Sequence, residues 1–436
     1  MTAEIIAFHG VPLREQEPPP AWRVELIYSD GDKLKPRSMQ NFIVTLRGEP
    51  ALCGLFGYDE FASEIFLARR PPWFTNGGKW QPRSLTDNDI VRTMAELEKH
   101  GLSPKKNETA DAIAVVAQDN KIHPVRHYLD GLAWDGIPRI QEALWEGVSF
   151  MSAASVYFGA ADTPYAQEVV KRWLISAVAR AYRPGCKADC ALVLEGPQGK
   201  LKSTALKILG GEFFTDDLAD FGSKDAAMQL QGRWIIEFPE LDAMRKGDVE
   251  KVKAFLSRTN DRFRPPYGHQ VRDFLRSSVL AGTTNSDRYL KDATGNRRFW
   301  PLKCEQINCS LLEQDRDQIW AEAVVMFRAR EPWWLTGDMI AAAAEEQDSR
   351  VEEDTWTEVI DTHLKTAMVD RITTYDILKD ALKIDPGKQT TTDAMRVGRV
   401  MKTIPAWDRQ QLRLRPDGKR AWVYVRSTVT TSDEKR

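Results

Sequence analysis

No apolar run in this chain approaches the roughly 18 consecutive residues needed to cross a bilayer. Its apolar runs, such as Ala191 to Leu194 and Ile340 to Ala344, are only a few residues long. A membrane-spanning class is thereby excluded, and no membrane partner is expected. The stretch Met1 to Pro12 carries Glu4 and lacks the basic start and long apolar centre of a secretion signal, so the expected location is the cytoplasm. Cysteine is scarce: Cys53, Cys186, Cys190, Cys304 and Cys309 are five in 436 residues, an odd number that forms no even disulfide framework. The pairs Cys186/Cys190 and Cys304/Cys309 could in principle offer four thiolates to zinc. Reduced, buried thiols are the plainer reading. An excess of one charge is lacking too, since 61 basic residues meet 63 acidic ones for a net charge of -2. Any basic surface must therefore be local. There are no internal repeats. The hydrophobic share of 42% and charged share of 28% are those of globular domains, and the length suits two or three of them.

What is present centres on Ala191 to Trp300. It opens with the apolar run Ala191-Leu192-Val193-Leu194, then Glu195-Gly196-Pro197-Gln198-Gly199-Lys200-Leu201-Lys202-Ser203-Thr204, then a helical pattern. This layout nearly meets the phosphate-binding G-x-x-x-x-G-K-[ST] loop. Backbone N–H groups from Gly196, Pro197, Gln198, Gly199, Lys200, Leu201, Lys202, Ser203 and Thr204 are the candidate nucleotide cradle, excepting the proline, which has none. Lys202 can reach the terminal phosphates, and the Ser203 hydroxyl can hold Mg²⁺. Leu201 stands where the consensus has its second glycine, and a side chain there restricts the backbone.

Downstream, Trp234-Ile235-Ile236-Glu237-Phe238-Pro239-Glu240 reads as a buried strand ending in acids. That is the profile of a carboxylate that holds Mg²⁺ or polarises the attacking water. Pro239 marks the strand end, so Glu240 is the better placed for the metal and Glu237 is its companion. A helical pattern bearing Lys253 follows. From Arg258 to Arg276 five arginines meet two aspartates, a local charge of about +3. Its centre, with Arg262, Arg264, Tyr267 and His269, alternates basic and aromatic residues about a turn, as a single-strand grip requires. An apolar strand then ends at Asn285, and Arg297 and Arg298 precede Phe299-Trp300.

Seven parts are expected along the chain: a proline-bearing arm (1–22), an accessory α+β or mainly helical domain (23–110), a helical region (111–185), the P-loop core (186–335), an acidic connector (336–365), a C-terminal module (366–427) and a tail (428–436). Within the accessory domain, Glu60 to Leu67 has a helical pattern. Between Glu345 and Asp361 eight acids meet one arginine, whereas Arg396 to Arg426 holds nine basic residues against two acids. The order helix (Thr374 to Lys383), helix (Thr392 to Ile404) and hairpin (Gln411 to Arg426) within the C-terminal module suits a winged helix. The fold class is α/β.

The order and spacing of these elements resemble the virulence-associated protein E family and, more broadly, superfamily 3 helicase ATPases of the AAA+-like P-loop kind. The resemblance is carried by Glu195-Gly196-Pro197-Gln198-Gly199, Lys253-Ala254-Phe255-Leu256-Ser257, Arg264-Pro265-Pro266-Tyr267-Gly268, Thr284-Asn285-Ser286 and Gly295-Asn296-Arg297-Arg298-Phe299-Trp300. It covers roughly Ala110 to Trp334, with a weaker echo in the C-terminal module. It implies ATP and Mg²⁺ as cofactors, with Lys202 and Ser203 on the triphosphate and metal, and Glu237 and Glu240 as strand-end acids. Asn285 would be the sensor of the γ-phosphate, and Arg297 or Arg298 the finger inserted into a neighbour's site. It further implies a homo-oligomeric ring, usually a hexamer, on single-stranded DNA, with duplex DNA and other replication proteins as further partners. A phage or mobile-element DNA helicase is the leading expectation; a DNA-binding initiator with a degenerate ATPase and a small-molecule kinase are the alternatives. Residues 1 to 110 hold no cysteine cluster or acidic triad, so primase activity is not expected.

Overall fold

The computed structural model describes residues 22–75, 77–145, 148–217, 224–244, 246–264, 271–290, 295–352, 354–413 and 420–426. The chain divides into one compact unit through Val351 and a second from Glu352 onward.

The first unit begins with a small α/β layer. Strands β1 (Phe56–Asp59), β2 (Glu64–Leu67), β3 (Arg83–Ser84) and β4 (Lys121–Ile122) form a sheet of order β3-β2-β1-β4. Helices α1 (Met39–Gly48), α2 (Asp87–Glu98) and α3 (Lys106–Ala117) pack with it around Phe42, Leu46, Leu67, Leu97 and Ile113. The helical pattern read over Glu60 to Leu67 is thus half of a β-hairpin, because Asp59 Oδ1 accepts from the Phe61 and Ala62 N–H groups and turns the chain. Pro124 opens α4 (Pro124–Gly131), and His123 caps it, its Nδ1 accepting from Arg126 N at 3.2 Å. Burial lowers the His123 pKa to about 3, so the ring is neutral.

The core of the unit is a five-stranded, all-parallel sheet. Its strands are β5 (Ala191–Glu195), β6 (Phe214–Thr215), β7 (Ile235–Phe238), β10 (Val279–Thr284) and β11 (Phe299–Lys303), in the order β6-β7-β10-β5-β11. Between β7 and β10 in sequence come the antiparallel pair β8 (Asn260–Phe263) and β9 (Arg272–Leu275). Every residue of β5, β7 and β10 is buried, the mark of a parallel sheet covered on both faces. Alternation sorts them. Leu192, Leu194, Ile235, Val279 and Ala281 face a cluster with α5 (Pro164–Tyr182), α6 (Lys202–Gly210) and, further along the chain, α8 (Cys309–Arg328). Ala191, Val193, Ile236, Phe238 and Leu280 face α7 (Lys246–Leu256) and Phe299. Buried indoles lock the first layer: Trp173 Nε1 donates to Leu280 O, Trp234 Nε1 to Ala177 O and Trp320 Nε1 to Leu209 O, and the Trp234 and Trp320 rings lie 4.3 Å apart. Burial pushes the Cys190 and Cys304 thiols up to about 12, which leaves both uncharged. Helix α9 (Asp338–Asp348) ends the unit.

The second unit runs helix, strand, helical turn, helix, strand, strand. Helix α10 (Trp356–Thr366) precedes β12 (Arg371–Ile372), Thr374–Asp376 leads into the π-turn Ile377–Ala381, and α11 (Thr391–Thr403) precedes β13 (Trp407–Arg413) and β14 (Arg420–Arg426). The three strands pair antiparallel in the order β12-β14-β13 over a core of Ile360, Leu364, Ile377, Val397, Val400 and Tyr424. Arg396 lies inside this unit's fabric, forked on Asp354 and stacked 4.0 Å over Trp356. It therefore leaves the pool of basic charge available to a partner. The turn residues 414–419, the arm 1–21 and the tail 427–436 fall outside the described residues.

Candidate functional site

Three neighbouring parallel strands bring the site together. The paired register Glu195↔Thr284 and Phe238↔Gly282 puts the carboxyl ends of β5, β10 and β7 side by side. The next strand after β5 in sequence, β6, lies at the far edge, so the chain reverses direction across the sheet here. Open α/β sheets bind ligands at the strand carboxyl ends beside such a reversal.

The loop leaving β5 is built on positive-φ positions. Gly196 has φ +148, and a Cβ there would lie 2.6 Å from Cys304 O, so no other residue fits. Leu201 itself takes the left-handed conformation, φ 61 and ψ 25, immediately before α6. A Cβ costs roughly 1–2 kcal/mol in that region, and the half-exposed Leu201 side chain recovers little of it by burial. Leu201→Gly is accordingly expected to hold stability or raise it by up to about 1 kcal/mol, once the glycine's extra unfolded-state freedom is subtracted. Urea unfolding checks this; a fall of more than about 1 kcal/mol would mean the leucine side chain is held by packing.

Lys202 opens α6 with only 7% of its surface exposed. Its Nζ donates to Gly196 O at 2.5 Å, Pro197 O at 3.0 Å and Asn285 Oδ1 at 3.1 Å. Burial lowers its pKa, opposed by the nearby carboxylates Asp242 and Glu237. Ser203 Oγ donates to Glu237 Oε1 at 2.7 Å, as does Thr283 Oγ1 at 2.6 Å. Glu237 is fully buried, and its Oε2 has no hydrogen-bond partner among the described residues. Gly199, Lys200, Ser203 and Thr204 are open to solvent, as are Pro197 and Gln198.

The structure corrects the expectation on the two acids. Glu237 touches Ser203, whereas Glu240 is exposed in a left-handed turn with φ 51. Strand alternation is the reason: Glu237 shares the face of Ile235, which is the face α6 covers. A residue missed from sequence is Asp242. Its Oδ1 accepts from Thr284 Oγ1 at 2.7 Å and from Asn285 N at 3.4 Å, which sets the turn carrying Asn285. Its only sequence signal is a third acid just past Pro239. With Oδ1 on Lys202, Asn285 keeps its amide nitrogen for donation.

Arg297 and Arg298 sit on the 3₁₀ turn Asn296–Arg298, outside this cluster, and they differ. The Arg297 side chain is 68% exposed, 3.6 Å from Asp189; Arg298 Nε donates to Ser257 Oγ at 2.8 Å. Of the nucleic-acid candidates, Arg262 is exposed on β8, paired in register with Asp273, and Arg264 is exposed just beyond it. Tyr267 and His269 lie outside the described residues. Lys253 departs from expectation, because its side chain is 5% exposed and held to Glu250 at 2.9 Å. A buried, paired ammonium is poorly placed for a phosphate. Arg276 is likewise internal, forked on Asp261 and stacked 3.8 Å over Phe255. Among the described residues no group of three or more His, Cys, Asp and Glu side chains could hold a metal, and no helix is long and apolar enough to cross a membrane.

The virulence-associated protein E-like domain matches residues 129–352, the span from α4 to the end of the sheet unit. The chain belongs to the virulence-associated protein E-like family. No curated protein matches it. Among solved structures, the chain is similar to the C-terminal region of NrS-1, at 11% identity and a TM-score of 0.40, over 85% of this chain and 96% of that one. It is also similar to a RuvB variant from Thermotoga maritima, at 13% identity and a TM-score of 0.23, over 60% of this chain and 92% of that one. The family's matched span contains the loop, Glu237, Asn285 and both arginines of this member.

Proposed function

We propose that this family member is a Mg-ATP-hydrolysing P-loop enzyme that works on DNA as a helicase or translocase in the replication of a phage or mobile element. The observation that carries the reading is the convergence of Lys202, Ser203, Glu237 and Asn285 at the carboxyl ends of three adjacent parallel strands. The residues fit a metal-bound triphosphate: the unpartnered Glu237 Oε2 lies on the carboxylate that Ser203 contacts. Ser203 and Glu237 would hold Mg²⁺, directly or through water, with Glu240 the outer acid of the pair. Bound Mg²⁺ supplies neutralisation of phosphate charge. The chain's own contributions are N–H groups at the α6 terminus, the Lys202 ammonium, and the Asn285 amide nitrogen as a donor to the terminal phosphate. In this reading Arg297 or Arg298 reaches a neighbour's site in a homo-oligomeric ring, and the β8–β9 hairpin with Arg262, Arg264, Tyr267 and His269 grips single-stranded DNA.

The further assignments follow from the same reading. Residues 186–335 form the motor core, and 366–427 act as a winged-helix-like module for duplex DNA, its exposed Arg399, Lys402 and Arg409 supplying charge. The left-handed Leu201 favours one alternative, a DNA-binding initiator with weak ATPase activity. ATP hydrolysis by the full chain, with and without single-stranded DNA, separates the two. Strong stimulation is expected. DNA binding without turnover would favour the initiator, and turnover indifferent to DNA would favour a kinase-like enzyme. Truncation after Asp361 is expected to weaken duplex binding several-fold while sparing single-strand-stimulated hydrolysis; loss of both together would place the motor's DNA grip in the removed module.

A further inference from the structure

The residue that roots the phosphate loop is a buried carboxylate. Glu195 ends β5, one position before Gly196, and only 2% of it is exposed. Its oxygens accept three hydrogen bonds: Tyr289 Oη donates to Oε1 at 2.7 Å, Arg350 Nε to Oε1 at 2.9 Å, and Arg350 Nη2 to Oε2 at 3.0 Å. A forked guanidinium–carboxylate pair fixes orientation as well as charge. None of the three residues belongs to the cluster of Lys202, Ser203, Glu237 and Asn285.

Arg350 also works through its backbone. Its carbonyl accepts from both Tyr289 N and Leu290 N at 3.0 Å, and the next residue, Val351, bridges Leu290. Nearby, Gln347 Nε2 donates to Phe299 O at 2.8 Å. One arginine just past α9 therefore binds the root of the phosphate loop with its side chain. With its main chain it binds the segment between Asn285 and the Arg297–Arg298 turn.

We propose that Arg350 is a positioning residue for nucleotide hydrolysis, holding the loop root at Glu195 in register with the segment that carries Asn285 toward Arg297 and Arg298. This rests on the P-loop ATPase reading above. Strand β5 is also held by β10 and β11 on either side, so loss of the guanidinium leaves the loop in place and frees the Tyr289–Leu290 segment. Nucleotide affinity should then change little, and turnover should suffer. Glu195 reaches no part of the reaction in this account; it is the anchor.

The test uses the full chain with Mg-ATP and single-stranded DNA, comparing Arg350→Gln, Arg350→Lys and Lys202→Ala at a temperature where circular dichroism shows each fully folded. Arg350→Gln is expected to lower kcat at least about 10-fold while nucleotide Kd stays within about 3-fold; Arg350→Lys, with charge but no fork, should fall between it and the parent. Hydrogen exchange supplies a readout independent of turnover: residues 286–290 should exchange faster in Arg350→Gln, and β5 should not. Unchanged kcat in a folded Arg350→Gln, or equal loss of Kd and kcat with no localised exchange, overturns the inference while parental turnover that Lys202→Ala removes keeps the ATPase reading. Parental protein that neither binds nor hydrolyses ATP overturns both. If Arg350→Gln does not fold, Tyr289→Phe, which removes one bond to Glu195 and no charge, must show the same kcat-only loss in smaller measure, and its absence counts against the proposal.

Discussion

Lys202→Ala is expected to reduce ATP turnover to background, a loss of at least about 10³-fold, and to leave the chain folded. The ammonium is the one cation within hydrogen-bonding reach of both the loop carbonyls and Asn285 among the described contacts of the site. Removing a single preorganised donor from a charge-stabilising site commonly costs about 10²–10³ in rate, and here a full charge goes with it. The fold should survive because Gly196 O and Pro197 O belong to a loop that water reaches, so neither acceptor is left dry. Hydrolysis assays beside thermal unfolding check both halves. Parental turnover in the variant would mean that this loop is not where ATP is split.

The loop after β5 was legible because its signals are local. Gly196, Gly199, Lys202 and Ser203 fall within eight residues, and their meaning depends only on a strand before and a helix after. The strand-end acids were legible as a pair but not in their division. Glu237 lies on the strand face that α6 covers, whereas Glu240 lies past the strand in an exposed turn, and that division is a tertiary fact. Asp242 was hidden for the same reason, since its partners Thr284 and Asn285 come from another strand. Glu60 to Leu67 shows the opposite failure: a short apolar pattern fits either period, and the Asp59 turn decided for a hairpin. Lys253 and Arg276 counted as surface charge along the chain, yet both are buried against partners the sequence does not announce. The Glu195–Arg350 pair spans 155 residues and has no local signature at all.

The second large effect concerns the two arginines, which geometry now distinguishes. Arg298 is tethered to Ser257, while the Arg297 side chain projects with 68% of its surface exposed and, among the described residues, a 3.6 Å ion pair to Asp189. A residue meant to reach a neighbouring subunit must be free to leave its own surface, so Arg297 is the better candidate for the finger. Arg297→Ala should lower turnover by about 10³ or more with nucleotide affinity nearly unchanged, the signature of charge needed only in the transition state. Arg298→Ala should cost less, because its main contact is within its own subunit. In a ring each interface joins one subunit's phosphate loop to the next subunit's arginine. Mixing Arg297→Ala with Lys202→Ala in equal amounts therefore rebuilds an intact site at about a quarter of randomly assembled interfaces. Activity should reappear on mixing two nearly inactive proteins, rise to a maximum near equal ratio, and fall away on dilution as assemblies separate. If both variants bind nucleotide and co-assemble yet no ratio restores turnover, the site is complete within one subunit and Arg297 is not a finger.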